Sequence, residues 1–206
     1  MSKVYFQIGT NNGNDLFRDL VVRDTPDLVI LIEPNPLLIY TIQSNYKDIK
    51  NVYIYSNAVY YTNDEPIELY VPAKNGRYNN AHFSLLPMND WGSKSDMAKI
   101  QTTSITFDKI CSIHNITNIE YLQIDTEGFD SEIIKMIDFS NYKINKLRFE
   151  KWTFKPSCFT AYSPELADTL GENGLINSIK KLEKHNYTVQ AISDTDGNDI
   201  IATLIK

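Results

Sequence analysis

The sequence has few of the residues that build metal sites or disulfide frameworks. Its 206 residues include two cysteines, Cys111 and Cys158, and three histidines, His82, His114 and His185. Two cysteines are too few for a disulfide framework, and together with the histidines they show no zinc-ligand spacing. We therefore expect no structural metal site.

Long apolar segments are also missing. No stretch approaches the roughly 18 consecutive apolar residues of a membrane-spanning helix, and the N-terminal MSKVYFQIG lacks the pattern of a secretory signal. We expect no transmembrane segment and a soluble cytoplasmic protein in a reducing compartment. Lys and Arg number 20 against 26 Asp and Glu, and the resulting net charge of −6 disfavours a nonspecific binder of nucleic-acid phosphates.

No internal repeat, low-complexity tract or flexible linker divides the chain, so residues 1–206 are predicted to form a single domain. Apolar patterns predict strands at 4–8, 28–32, 52–61, 67–71, 119–124, 146–152, 187–192 and 199–205, and helices at 15–22, 37–46, 131–137 and 166–182, the last broken near Gly171 and Gly174. This order predicts an α/β fold: a doubly wound, mostly parallel sheet with helices on both faces and a C-terminal antiparallel hairpin.

Residues 73–97 interrupt the regular pattern. The segment is rich in Asn, Gly, Ser and aromatic residues, and it is longer than compact domains usually hold without a function. Aromatic rings interleaved with amides and hydroxyls suit sugars, which present apolar ring faces and rims of hydroxyls. The predicted substrate-binding residues are Tyr78, Asn80, His82, Ser84 and Trp91, together with Trp152 at the end of the 146–152 strand. A surface lid without substrate contact is the alternative.

Ligands of such sheets bind beyond the carboxyl ends of the strands. The first strand ends in FQIGTNNGND, where Gly9 and Gly13 allow positive φ and close approach of a nucleotide-like ligand. The second ends at Glu33, 24 residues after Gly9, near the interval of about 20 expected for an acid that binds ribose hydroxyls. A plain strand-to-helix turn and a helix-capping acid are the respective alternatives.

A later strand ends in YLQIDTEGFDSEIIKMI, which places Asp125 and Glu127 at the crest of the sheet. Two carboxylates there should repel each other, which favours a cation, a proton or a hydrogen-bonding substrate between them. Asp130 and Ser131 are predicted to cap the following helix.

Taken in order, FQIGTNNGND, LIEPNP, SNAVYY, TSITFDKI and YLQIDTEGFDSEIIKMI resemble the FkbM family of S-adenosylmethionine-dependent methyltransferases over residues 4–152. The resemblance implies the class I methyltransferase (Rossmann-like) fold with a seven-stranded sheet, S-adenosyl-L-methionine as cofactor and methyl transfer to oxygen. The family usually has an acid where this chain has Gln7. A neutral amide there can still hydrogen-bond the cofactor's amine network.

The resemblance also assigns roles to residues. The Gly9–Gly13 turn would bound the methionine part of the cofactor, Glu33 would hold the ribose hydroxyls, and Asp125 would lie near the reacting methyl group. The full set of implied cofactor-binding residues is Gln7, Gly9, Thr10, Asn11, Asn12, Gly13, Asp15, Glu33, Pro34, Asn57, Ala58, Asp125 and Thr126.

A poorly acidic hydroxyl acceptor needs a general base. The candidate catalytic residues are Asp125, Glu127, Glu150 and His82. His82 has the most suitable unperturbed pKa. A solvated loop histidine is the alternative for His82, and an ion pair with Arg148 or Lys151 is the alternative for Glu150.

Because many members of this family methylate sugars, we predict O-methylation of a carbohydrate or glycosylated small molecule, with no specific nucleic-acid partner. An mRNA cap 2′-O-methyltransferase should show a basic groove and a Lys-Asp-Lys-Glu set, of which only Asp125 and Glu150 are evident. A nicotinamide-dependent dehydrogenase needs G-x-G-x-x-G, whereas this chain has G-x-x-x-G. A non-catalytic nucleotide-binding module is supported only by Gln7. The sequence leaves open whether the chain is part of a larger glycan-modifying system.

Overall fold

The computed structural model describes residues 2–72, 83–87, 97–155, 164–194 and 197–205. The strands are β1 Val4–Ile8, β2 Leu28–Ile32, β3 Val52–Tyr55, β4 Asn57–Val59, β5 Pro66–Pro72, β6 Met97–Ile105, β7 Asn118–Ile124, β8 Lys143–Glu150, β9 Tyr187–Asp194 and β10 Gly197–Leu204. The helices are α1 Leu16–Asp24, α2 Ile39–Asn45, α3 Phe107–Ile113, α4 Asp130–Met136, α5 Pro164–Leu170 and α6 Glu172–Lys184, with a 3-10 turn at Trp152–Phe154.

Seven strands form the main sheet in the order β3-β2-β1-β7-β8-β10-β9. The first five of these are parallel, and β10 pairs antiparallel with both β8 and β9. The chain builds outward from β1 to β3 and then continues on the other side of β1 with β7, so the topological switch point lies between β1 and β7. This is the class I methyltransferase-like α/β fold, and the predicted C-terminal hairpin is confirmed.

The central strands are apolar because both faces of the sheet are covered. Every residue of β1 is buried. On one face Phe6 packs in a cluster that includes Phe107 of α3 and Ile133 of α4. On the other face Tyr5 packs against Phe17 of α1. Burial on two sides explains the unbroken apolar run of β2 and the apolar run of β1, in which only Gln7 is polar, and helices on both faces are confirmed.

The prediction of one strand over 52–61 was wrong. The segment contains two strands separated by the exposed Ser56. The first, β3, joins the main sheet, whereas β4 pairs parallel with β6 in a small sheet of order β4-β6-β5. This change of sheet brings Asn57 and Ala58 to the cleft described below.

Two other features differ from the prediction. No strand was predicted at β6, which begins at Met97 and pairs antiparallel with β5; most of its residues are polar and partly exposed, which hides the strand pattern. β8 ends at Glu150, so Trp152 lies in the 3-10 turn instead of a strand. The predicted break in the last helical region is confirmed, because Gly171 separates α5 from α6. No helix in the described ranges is long and apolar enough to cross a membrane.

Candidate active site

A cleft opens at the carboxyl ends of β1, β2 and β7. It encloses about 610 Å³ of empty space, part of it open to solvent. Its described lining consists of Ile8, Gly9, Asn11, Ile32, Glu33, Pro34, Asn57, Ala58, Val59, Leu69, Phe83, Leu85, Asp125, Thr126, Glu127, Phe129 and Ile133. The position is the one expected for the ligand of a doubly wound sheet.

The turn after β1 is held tightly between its two neighbouring strands. The N–H groups of Gly9 and Thr10 both donate to the carbonyl of Ile32, at 2.9 and 3.0 Å, and the Asp125 N–H donates to the carbonyl of Ile8 at 2.9 Å. Gly9 has φ +83°, and a Cβ on it would lie 1.7 Å from the Asp125 carbonyl oxygen. Only glycine can occupy this position without moving β7.

Glu33 emerges from β2 into the cleft and is 4% exposed. One carboxylate oxygen accepts from the Asn11 N–H at 2.7 Å and the other from the Asn35 N–H at 2.8 Å. Burial raises the pKa of Glu33 to about 7, although the two backbone hydrogen bonds oppose the shift. Because a carboxylate offers about four acceptor positions, two hydroxyl groups of a ligand can still be bound.

The loop after β7 brings two more carboxyl groups into the cleft. Asp125 lines the cleft, where its surface is open to the cavity. The surrounding protein is the main cause that raises the pKa of its carboxyl group, and repulsion from Glu127 and Asp130 adds to the shift. Burial is the main cause that raises the pKa of Glu127 to about 7, and repulsion from Asp130 adds to the shift. Glu127 has φ +53°, a left-handed conformation that is uncommon for residues other than glycine. The loop therefore holds its carboxyl groups in an environment that favours protons or cations.

Glu150 ends β8 beside this loop. The parallel register pairs Ile124 with Phe149, so Asp125 and Glu150 follow at the same level of adjacent strands. Burial raises the pKa of Glu150 well above its usual value, and repulsion from Asp125 adds to the shift. Its Oε2 atom is buried and has no hydrogen-bond partner among the described residues. Arg148 pairs with Asp199, with 2.6 Å between Nε and Oδ2.

The predicted cofactor-binding residues fall into two groups. Eight of them line the cleft: Gly9, Asn11, Glu33, Pro34, Asn57, Ala58, Asp125 and Thr126. The other five are absent from its described lining: Gln7 lies in β1, and Thr10, Asn12, Gly13 and Asp15 lie between β1 and α1. Among these, the Gln7 amide donates to Asp15 at 2.6 Å, and Asp15 also caps α1 by accepting from the Arg18 N–H.

The predicted substrate-binding residues are only partly described. Tyr78, Asn80, His82 and Trp91 lie outside the described residues. Ser84 is 1% exposed, and its hydroxyl donates to the Glu127 carbonyl at 2.7 Å and accepts from the Leu86 N–H at 3.1 Å. Trp152 lies against Lys155, whose Nζ is 5.2 Å from the ring centroid. Their role in substrate binding stays a prediction.

Segment 83–87 nevertheless contributes to the cleft. Ser84 and Tyr70 of β5 exchange two backbone hydrogen bonds, of 2.8 and 3.2 Å. This bridge places Phe83 and Leu85 on either side of the buried Ser84 in the cleft wall. Alternation over three residues was too short to predict this strand-like segment from the sequence.

An aromatic cluster beside the cleft was not predicted. Phe129 lines the cleft, stacks on Tyr60 with ring centroids 5.7 Å apart, and meets Tyr61 edge-on at 6.4 Å. Tyr61 is 46% exposed. The tyrosines end the SNAVYY segment and Phe129 follows IDTEG directly, so their position beside these two motifs was the available signal.

The cleft residues fit an adenosyl ligand with a positively charged amino-acid part. Ile32, Ala58, Val59 and Leu69 provide an apolar wall for a flat base, and Glu33 provides acceptors for ribose hydroxyls. In the turn behind, Thr10 Oγ1 and Asn11 Oδ1 are buried without partners among the described residues. Within the described part of the chain, no three His, Cys, Asp or Glu side chains are grouped to hold a metal ion.

Comparison with known structures returns methyltransferases. An FkbM methyltransferase from Methylobacillus flagellatus is 13% identical, with a TM-score of 0.49 over 98% of this chain and 43% of that chain. An O-methyltransferase from Bacillus cereus in complex with SAH is 10% identical, with a TM-score of 0.49 over 99% of this chain and 74% of that chain. A precorrin-6y C5,15-methyltransferase from Geobacter metallireducens is 12% identical, with a TM-score of 0.48 over 98% of this chain and 80% of that chain.

The family assignment comes from the sequence. Residues 7–192 match the model of the methyltransferase FkbM domain. The comparison with curated proteins gave no match. The matched range covers nearly the whole chain and includes the glycine turn, Glu33 and the loop after β7. The chain therefore belongs to the FkbM family of S-adenosylmethionine-dependent methyltransferases.

Proposed function

We propose that this methyltransferase transfers a methyl group to a hydroxyl oxygen of a sugar, in a glycan or a glycosylated small molecule. The observation that carries the proposal is the group of carboxyl groups at the ends of β7 and β8, placed beside an aromatic surface. Acidic groups of raised pKa suit the deprotonation of a hydroxyl, and aromatic rings suit the apolar face of a sugar.

In this proposal the cofactor lies across the switch point. Glu33 accepts hydrogen bonds from the ribose hydroxyls, and Asn57 and Ala58 lie beside the adenine. Gly9 allows the backbone to approach the methionine part, with Asp125 and Thr126 at its end. When bound, S-adenosylmethionine supplies a methyl group activated by a positively charged sulfur.

Glu127 acts as the general base. Its pKa of about 7 lies near neutral pH, where a base combines a useful ionised fraction with a useful proton affinity. The carboxyl groups of Asp125 and Glu150 lie next to it, and a cationic cofactor in the cleft would favour their ionised forms. Repulsion among these neighbouring acids is one cause of the raised pKa values of Asp125 and Glu150.

The charge of the cleft also favours neutral acceptors over phosphate-bearing ones. Its described lining contains Glu33, Asp125 and Glu127 but no Lys, Arg or His. A phosphate-bearing acceptor such as capped RNA would meet repulsion from these carboxyl groups, whereas a neutral sugar would not. Phe129 and Tyr61 offer the apolar contact that a neutral sugar ring needs.

The test uses the full chain with methyl-labelled S-adenosylmethionine and two acceptor sets, neutral glycosides and a capped RNA oligonucleotide. We expect labelled methyl ethers on a glycoside, and a loss in kcat of about 100-fold in Glu127→Gln with cofactor affinity retained. Glu132→Gln, which alters an exposed ion pair with Lys135 on α4, is the matched control and should retain activity. Label only on RNA, or none while the cofactor is bound, would overturn the proposal.

A further inference from the structure

Asp130 is a completely buried acid that does not line the cleft. It begins α4, has 0% exposure and is absent from the described cleft lining. The prediction that Asp130 caps α4 was wrong, because Phe129 occupies the N-cap position and no side chain caps this helix. The carboxylate instead points to two other segments.

Asp130 connects the loop after β7 with the end of β8. Its Oδ2 atom accepts from the Thr126 hydroxyl at 2.7 Å and from the Thr126 N–H at 3.2 Å. Its Oδ1 atom accepts from the Glu150 N–H at 3.3 Å. All three partners donate, so they match an ionised carboxylate on both oxygens and oppose the rise in the pKa of Asp130 that its burial causes.

These two segments carry the acidic groups of the site. Thr126 lies between Asp125 and Glu127, and Glu150 is the last residue of β8. One buried carboxylate therefore connects Glu150 with the loop that carries Asp125 and Glu127, the two of these acids that line the cleft. Cross-linking by charge-assisted hydrogen bonds in a buried position is a strong local constraint.

We propose that Asp130 is a positioning residue for methyl transfer, which holds the Thr126 loop and the Glu150 main chain so that Asp125, Glu127 and Glu150 act on one site. This inference rests on the proposed function of those three acids. Asp130 itself does not touch the substrate or the cofactor.

The electrostatic effect of Asp130 gives the proposal a distinctive readout. Asp130 repels Asp125 and Glu127 in the same loop and Glu150 on β8, and its charge contributes to the raised pKa of each. Asp199 on β10 and Asp15 before α1 act on Asp125 as well. Removing the charge of Asp130 should lower the pKa values of the three acids, whereas a loss of packing alone would not.

Asp130→Asn is the direct test. The amide replaces one oxygen by a donor, which must face either Thr126 or the Glu150 N–H, so at least one connection is lost. We expect kcat to fall about tenfold with KM changed less than twofold, and the acidic limb of the kcat profile to move to lower pH. Asp138→Asn removes a carboxylate that hydrogen-bonds within the exposed turn after α4, to the Ser140 N–H and the Asn141 amide, and should change neither quantity.

A second pair of variants keeps the test valid if Asp130→Asn does not fold. Thr126→Val removes the 2.7 Å hydroxyl bond, whereas Thr126→Ser retains it. We expect kcat to be about threefold lower in the valine variant than in the serine variant, because only serine retains the hydrogen bond to Asp130. Equal activity of the two variants would contradict the proposal.

Carboxyl-carbon NMR titration separates this inference from the proposed function, because it needs no acceptor. Lower titration midpoints for Glu127 and Glu150 in Asp130→Asn are expected, even if no sugar is methylated. Unchanged midpoints in a folded variant would overturn the role of Asp130 while leaving sugar methylation to its own assay.

Discussion

Gly9 and Asp125 are in backbone contact across the switch point. A Cβ on Gly9 would lie 1.7 Å from the carbonyl oxygen of Asp125 and 2.7 Å from its carbonyl carbon. The turn that follows β1 and the loop that follows β7 therefore cannot shift independently. One contact fixes both sides of the cofactor cleft.

Replacing Gly9 by alanine should damage both loops. The side chain would clash with the Asp125 backbone directly after β7 and the residue would have φ +83°, so we expect a loss of about 3 kcal/mol in unfolding free energy and no measurable cofactor binding. Gly13→Ala is the graded comparison, because its Cβ would meet the Tyr46 ring at 3.0 Å, and a side chain can move more easily than a strand. Urea denaturation of both variants measures the difference. Equal losses would show that the β7 contact is not the cause.

Cofactor affinity should depend on pH through Glu33. Its pKa of about 7 means that ribose hydroxyls meet a mostly protonated carboxyl at pH 6 and a mostly ionised one at pH 8. If the ionised form accepts both hydroxyls, the Kd of S-adenosylhomocysteine should be about tenfold lower at pH 8 than at pH 6. Isothermal titration calorimetry at the two pH values measures this ratio.

Glu33→Gln provides the control for that pH dependence. The amide keeps the size of the side chain but cannot ionise, so binding should weaken at pH 8 and the ratio between the two pH values should fall toward one. A ratio that stays near ten in this variant would assign the pH dependence to another group, with Glu127 the first alternative because its pKa is also raised to about 7.

The ligand-free protein should become less stable as the pH rises. The folded pKa values of Glu33 and Glu127 lie near 7, above their ordinary value of 4.5, so the folded state holds more protons than the unfolded state between these limits. This contribution to stability is complete below about pH 4.5 and is lost as the pH rises through 7. We expect a lower Tm at pH 8 than at pH 5.5, and a smaller difference in Glu33→Gln/Glu127→Gln. A double variant with an unchanged difference would contradict this account.

Lys181 of α6 caps the C-terminal end of α4. Its Nζ donates to the carbonyl oxygens of Ile134, Lys135 and Ile137, at 3.0, 2.7 and 2.7 Å. Lys181→Met leaves these acceptors without their charged donor, so we expect a loss of about 2 kcal/mol in unfolding free energy. Lys180→Met changes the exposed neighbour on α6 and should cost less than about 0.5 kcal/mol. Similar losses in the two variants would exclude the capping role.

Tyr61 tests the sugar proposal at its aromatic surface. Tyr61→Ala removes an exposed ring that lies against Phe129, so we expect the KM for the glycoside acceptor to rise about fivefold with little change in kcat. Tyr53 on β3 is similarly exposed, 48% against 46%, but packs on His114 away from the cleft lining. Tyr53→Ala should leave the KM unchanged, and a similar rise in both variants would remove the support from this surface.

The pattern of neighbouring residues was sufficient to predict a strand where burial is continuous along it. β1 and β2 have the predicted bounds, because five consecutive buried residues in β1, and four after the half-buried Leu28 in β2, leave few other interpretations. The positions of Gly9, Glu33 and Asp125 at strand ends followed from the same patterns. The sheet then brings these residues together in the cleft, as the order of motifs implied.

The sequence did not predict contacts between segments that are far apart along the chain. Asp130 looks like a helix cap locally, but Glu150 lies 20 residues further along the chain and provides one of its donors. Ser84 looks like a loop hydroxyl, yet it is bound to a carbonyl 43 residues away. Such partners are decided by packing, which a pattern of neighbouring residues does not contain.

The anchoring of Ser84 has a consequence for the wall of the cleft. Residues 83–87 are fastened both to β5 and, through one hydroxyl, to the carbonyl of Glu127. The wall that carries Phe83 and Leu85 is therefore tied to the loop after β7, and a residue without a hydroxyl at position 84 would release that tie.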